Sequence, residues 1–139
     1  MPRHPLTDRV LGPVLVPEED GFADEVLAHN RSVVHRPDLV VGATSTQDVV
    51  EAVRWAATEG VPLTVLATGH GSHRPVTAGV MVTTRRITGV TVDADTRVAT
   101  IGAGSAWTDV IAAAEPFGLA PVTSRPWAAN CWRNWLLNS

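Results

Sequence analysis

Lysine is absent from this 139-residue chain, whose eleven basic side chains are all arginine. A phosphate loop of the kind that ends in a lysine is therefore excluded. Cysteine occurs once, at Cys131, which rules out an internal disulfide framework and a multi-thiolate zinc site. No run approaches the roughly 20 apolar residues of a membrane-spanning helix. Arg3 and Arg9 lie near the start, but Pro, Asp and Glu interrupt the apolar stretch a signal peptide would need. Cytoplasm is the expected address. The net charge of −3, with scattered arginines, leaves no basic footprint for nucleic acid.

What is present is an ordinary globular composition. Apolar residues make up 45% of the chain, and a chain of this size buries roughly two thirds of its unfolded surface. One domain, or part of one, is expected. There is no internal repeat and no low-complexity tract.

Residues 1–17 hold four prolines and no period, which reads as an extended or mobile leader. A short helix is expected over 20–30, with Phe22, Val26 and Leu27 on one side, and a strand over 38–41. Ser45-Thr46-Gln47-Asp48 has the spacing of a capping box. Val49, Val50, Val53 and Ala57 then recur at helical spacing, and Gly60 stands where a helix-ending glycine belongs. Residues 61–67 read as a buried strand, so that strand, helix and strand form a parallel crossover unit.

Further strands are expected over 79–84 and in a hairpin, Val90 to Val92 and Arg97 to Ile101, turning at residues 93–96. A helix over 106–115 should end at Pro116 and Gly118. Parallel and antiparallel pieces together make the fold class α+β.

The segment that carries chemistry is Ala67-Thr68-Gly69-His70-Gly71-Ser72-His73, where an apolar strand runs into a glycine-flanked imidazole. Glycines there allow positive φ and close approach of backbone to a ligand. Taken alone, such a histidine reads as a turn residue or as a ligand. His70 and His73 have H-x-x-H spacing, but zinc takes three or four ligands. His29 and His35 lie far off in sequence and nothing marks them as partners, so no metal is expected. Gly102-x-Gly104 is too short for a dinucleotide fingerprint. Trp107 reads as core, and Arg85-Arg86 as a solvated turn pair.

In order and spacing, these pieces resemble the FAD-binding domain of the p-cresol-methylhydroxylase type, found in vanillyl-alcohol-oxidase and berberine-bridge-enzyme-like oxidoreductases. The resemblance runs from Asn30 to Pro121. It rests on His35-Arg36-Pro37-Asp38, on Ser45 to Val50, and on Leu66-Ala67-Thr68-Gly69-His70-Gly71 as the pyrophosphate loop. It continues through Ala78 to Val82, Val90 to Asp93, the Gly102-Ala103-Gly104-Ser105-Ala106-Trp107 segment and Gly118 to Pro121.

The resemblance implies FAD as cofactor, with Ala67, Thr68, Gly69, His70, Gly71, Ser72 and His73 around its diphosphate and His70 as the candidate for covalent attachment to the flavin. It also implies hydride transfer from an alcohol, amine or sugar carbon. The chain then divides into a leader and short helix (1–30), an FAD-binding subdomain (31–123) and a Trp-rich tail (124–139).

That tail departs from the family. It holds Trp127, Trp132, Trp135 and Cys131 but no glycine, where relatives continue with a second glycine-rich motif. One nucleotide forward, codons for Asn130 to Leu136 place two glycines at G-x-x-G spacing. The expectation is a frameshifted, truncated FAD-binding lobe, with weak cofactor affinity, no catalytic residue of its own and little turnover. The alternatives are a non-catalytic binding module with a docking tail, or an unstable fragment.

Overall fold

The structure, a computed structural model, describes residues 4–121 and the backbone of residues 137–138. Two units divide at Ile87/Thr88. The first is built on a sheet of four strands in the order β1-β2-β4-β3. β1 is Val14–Leu15, β2 Leu39–Gly42, β3 Leu63–Leu66 and β4 Val80–Thr83. β2, β4 and β3 run parallel, with Leu39 and Leu63 both level with Val80; β1 pairs antiparallel to β2.

β2 and β4 are buried at every position, as strands covered on both faces must be. Alternate side chains serve two cores. Leu39, Val41, Val80 and Val82 face the long helix, and Val40 and Met81 pack with Phe22, Val26, Ala28 and Leu66 on the other side. β3, expected to be fully buried, is instead the sheet edge, with Val65 47% exposed. The crossover from β2 is parallel, as expected, but β4 takes the place between.

The long helix α2, Thr46–Glu59, begins where Ser45 Oγ accepts from the Asp48 amide at 3.2 Å. It ends at Gly60, whose φ of 67° is left-handed. Its period is that expected, but its phase is not. Asp48, Ala52 and Ala56 are buried, whereas Val53 is 48% exposed.

Asp48 explains the rotation. Its carboxylate accepts from the amides of Leu11 (2.9 Å), Gly12 (3.2 Å) and Thr44 (2.8 Å), and from Thr44 Oγ1 (2.7 Å). It therefore ties down the N-terminal segment rather than closing a reciprocal capping box. That segment, expected to be extended or mobile, forms a 3₁₀ turn at Pro5–Asp8 and buries Leu6 and Val10 in the core. A Cβ on Gly12 would stand 1.9 Å from the Gly42 carbonyl oxygen, so only glycine lets the leader lie this close.

The expected helix over 20–30 shrinks to one turn, α1, Phe22–Glu25. Arg85 takes the carbonyls of Asp24, Glu25 and Leu27, which a continuing helix would use itself. The chain is thereby turned towards β3.

In the second unit, β5 (Val90–Asp93) and β6 (Val98–Ile101) form the expected hairpin. Asp93 Oδ1 accepts from the amides of Asp95 and Thr96, and Arg97 takes a φ of 55°. Helix α3, Trp107–Ala114, buries Val110 and Ala114, and Trp107 is half-buried. A 3₁₀ turn, Glu115–Phe117, follows, and Gly118 closes it with a φ of 65°. β7 (Ala120–Pro121) pairs antiparallel with β8 (Leu137–Asn138). The frameshift reading of the tail otherwise concerns residues outside those described.

Candidate cofactor site

The loop after β3 lies at the carboxyl end of the parallel strands, the end at which open α/β sheets bind ligands. Gly69 sits at its bend with a φ of 74°. A Cβ there would lie 2.5 Å from Ala28 Cβ and 2.9 Å from Ala28 Cα. Both the conformation and the close approach therefore require glycine. Gly71 differs: its φ is not left-handed, and a Cβ on it would meet nothing within 4 Å. It faces open space at the cavity shared with Ser72 and His73.

Six of the seven residues expected at the site divide between two cavities, and Gly69 lines neither. Ala67, Thr68 and His70 line a groove of about 350 Å³, with His29, Arg31 and Arg85 also on its walls. Gly71, Ser72 and His73 line another of about 320 Å³ beside His35. His70 and His73 thus point to different spaces. Among the described residues, no cluster of three or more His, Cys, Asp or Glu could hold a metal ion.

His70 is exposed but held. Its Nδ1 hydrogen-bonds Thr68 Oγ1 at 2.8 Å. Its ring stacks on His29, with centroids 3.6 Å apart and planes at 22°. The His29 amide donates to the Thr68 carbonyl at 2.7 Å, and Asn30 Nδ2 donates to the Ser72 carbonyl at 3.0 Å. His29, set aside on sequence grounds as too distant, is therefore a direct neighbour of His70. Nothing in the spacing of the two residues signals this.

Arg85 and Arg86 are not a free turn pair. Arg86 clamps Glu25 with two bonds, of 2.8 and 2.7 Å, and Thr83 Oγ1 also donates to that carboxylate. Burial alone would raise the Glu25 pKa. The hydrogen bonds from Arg86 and Thr83, with the charges of Arg86 and Arg85, hold it below the ordinary value instead. Arg85, fixed by the α1 carbonyls, lines the groove beside His70.

His35 is buried, accepts from the Val76 amide through Nδ1 at 3.1 Å and leaves Nε2 without a partner. Burial lowers its pKa.

Two guanidinium groups, Arg31 and Arg85, and two imidazoles, His29 and His70, line one open groove, a set of donors suited to an anion. An α+β lobe that presents such a set beyond parallel strands defines a nucleotide-binding domain.

The sequence pattern of the FAD binding domain family matches residues 37–126, and the chain belongs to that family. It is 29% identical over 116 residues to (R)-6-hydroxynicotine oxidase of Paenarthrobacter nicotinovorans, covering 82% of this chain and 25% of that protein. It is 32% identical over 91 residues to cytokinin dehydrogenase 2 of Arabidopsis thaliana, covering 63% of this chain and 18% of that protein.

The crystal structure of 6-hydroxy-D-nicotine oxidase from Arthrobacter nicotinovorans superimposes with a TM-score of 0.74 at 27% identity, over 88% of this chain and 28% of that one. A carbohydrate oxidase from Microdochium nivale shares the fold, with a TM-score of 0.69 at 17% identity, over 83% of this chain and 25% of that one. The chain thus spans about a quarter of the length of these oxidases. It is an FAD binding domain, the α+β lobe expected from the sequence. Among the described residues, no helix is long and apolar enough to cross a membrane.

Proposed function

We propose that the loop of residues 67–73 holds the diphosphate of FAD and that His70 is its point of covalent attachment. The observation that carries the reading is the groove in which Ala67, Thr68 and His70 meet Arg31 and Arg85, at the loop bent by Gly69. Backbone amides of a glycine bend and two permanently charged guanidinium groups suit a dianionic ligand. The open space beside Gly71 allows backbone contact with it.

The chemistry FAD supplies when bound is hydride acceptance from a substrate carbon, with dioxygen as the usual final acceptor. The chain's own part is binding and orientation. Thr68 Oγ1 holds His70 Nδ1 at 2.8 Å, which supports an ordered imidazole at the groove. His70 would hold the flavin by replacing a methyl hydrogen with a bond to an imidazole nitrogen, a two-electron oxidation for which dioxygen would be the oxidant and hydrogen peroxide the product. The donor substrate is an alcohol, amine or sugar carbon, and the acid–base groups for it belong to the remainder of a full-length relative. By themselves these residues turn over little substrate.

The test is calorimetric titration of the purified chain with FAD, followed by acid precipitation. Yellow pellets from wild type and colourless pellets from His70→Ala support the reading. A folded chain that binds no FAD at saturating cofactor overturns it. Bound flavin that washes out of both pellets overturns the covalent part alone.

A further inference from the structure

We infer that His29 is a positioning residue for His70, its ring setting the orientation in which His70 faces the cofactor groove. The inference rests on the assignment of that groove to FAD.

An exposed histidine on a loop ordinarily samples several rotamers. Here the segment Ala28–Asn30 forms a backrest against the loop at four points. Ala28 packs under Gly69, where a methyl group would collide. The His29 amide holds the Thr68 carbonyl at 2.7 Å. Asn30 Nδ2 holds the Ser72 carbonyl at 3.0 Å. The His29 ring covers one face of the His70 ring at 3.6 Å. Two of these contacts fix the loop on either side of residue 70, and the stack fixes the ring itself.

With Thr68 on Nδ1 at 2.8 Å, the imidazole is restrained both about its long axis and in its plane. Attachment of a flavin demands such a near-attack orientation, and small angular errors there cost rate steeply. His29 also lines the groove, so its other face is available to a ligand that lies over the pair.

The experiment compares wild type, His29→Ala and His29→Phe, with His70→Ala used to assign the His70 ring resonance. In the cofactor-free chain, the His70 ring proton should lie upfield in wild type through the ring current of its neighbour. It should move to the free-histidine position in His29→Ala and return upfield in His29→Phe. Acid-stable flavin should form about fivefold to tenfold more slowly in His29→Ala, the population change that loss of one aromatic pair produces. It should recover in His29→Phe.

A His70 resonance that does not move in His29→Ala overturns the inference, as does flavinylation at the wild-type rate. So does His29→Phe behaving like His29→Ala in both readouts, since an imidazole nitrogen of His29 rather than the stack would then be responsible. A wild-type chain that takes up no FAD strikes down the cofactor reading. The resonance comparison then decides the stack by itself.

Discussion

Gly69→Ala is the most demanding test of the loop. The substitution forces an L-residue to a φ of 74°, which costs about 1–2 kcal/mol. The new methyl would sit 2.5 Å from Ala28 Cβ and 2.9 Å from Ala28 Cα. The second of these is backbone and does not swing aside, so overpacking adds about 1–3 kcal/mol.

The sum, about 2–5 kcal/mol, lowers the urea midpoint by about 1–2.5 M for a slope near 2 kcal/mol per molar. Gly71→Ala is the internal control. Its methyl meets nothing within 4 Å and its φ is not left-handed, so stability should hold within about 0.5 kcal/mol, while FAD affinity should fall on the proposed role of the 67–73 loop. Urea unfolding followed by circular dichroism, with parallel FAD titration, reads both. A Gly69→Ala midpoint equal to wild type, or a Gly71→Ala loss as large, would refute the geometry of the bend.

Other outcomes follow from the same contacts. Asp48→Ala leaves the buried amide of Gly12 and those of Leu11 and Thr44 without their acceptor. It should cost about 2–4 kcal/mol and open residues 4–13 to limited proteolysis, which wild type resists. Glu25→Gln weakens the clamp by Arg86. With that arginine 37% exposed, solvent screening keeps the loss to about 1–2 kcal/mol, and a double-mutant cycle with Arg86→Met measures the coupling.

Acid should destabilise the fold in two stages. His35 has a folded pKa below its ordinary 6.5, so the unfolded chain protonates first and stability declines as pH falls from about 6.5. Glu25 and Asp48 have folded values below 4.5 and 3.8, so their contribution is full above those values and is lost as pH falls further through the folded ones. Thermal unfolding from pH 8 to pH 3 checks this; burial also lowers the His4 pKa, so His35→Gln should shrink the first stage and leave the second unchanged.

Local rules carry the elements whose determinants lie within one turn or one hairpin. Ser45 and Gly60 bound α2 because a cap and a left-handed stop act through neighbouring backbone. The run Val80–Thr83 reads as a strand from its apolar and β-branched residues, although its burial on both faces does not show at that level. The 67–73 segment marks itself as a loop for close approach, since Gly69 is needed whatever surrounds it. The fold class and the cofactor followed from these pieces in order.

Tertiary structure alone decided the rest. The phase of α2 depends on Asp48 finding amides 36 and 37 residues earlier in the chain. The single turn of α1 depends on Arg85 taking its carbonyls. β3 became an edge because β4 inserted beside it, and His29 came to lie on His70 because the Ala28–Asn30 segment was pressed under the glycine bend. Periodicity and capping are short-range and survive in sequence; strand order, helix phase and ring stacking are set by partners distant along the chain, and only packing brings those together.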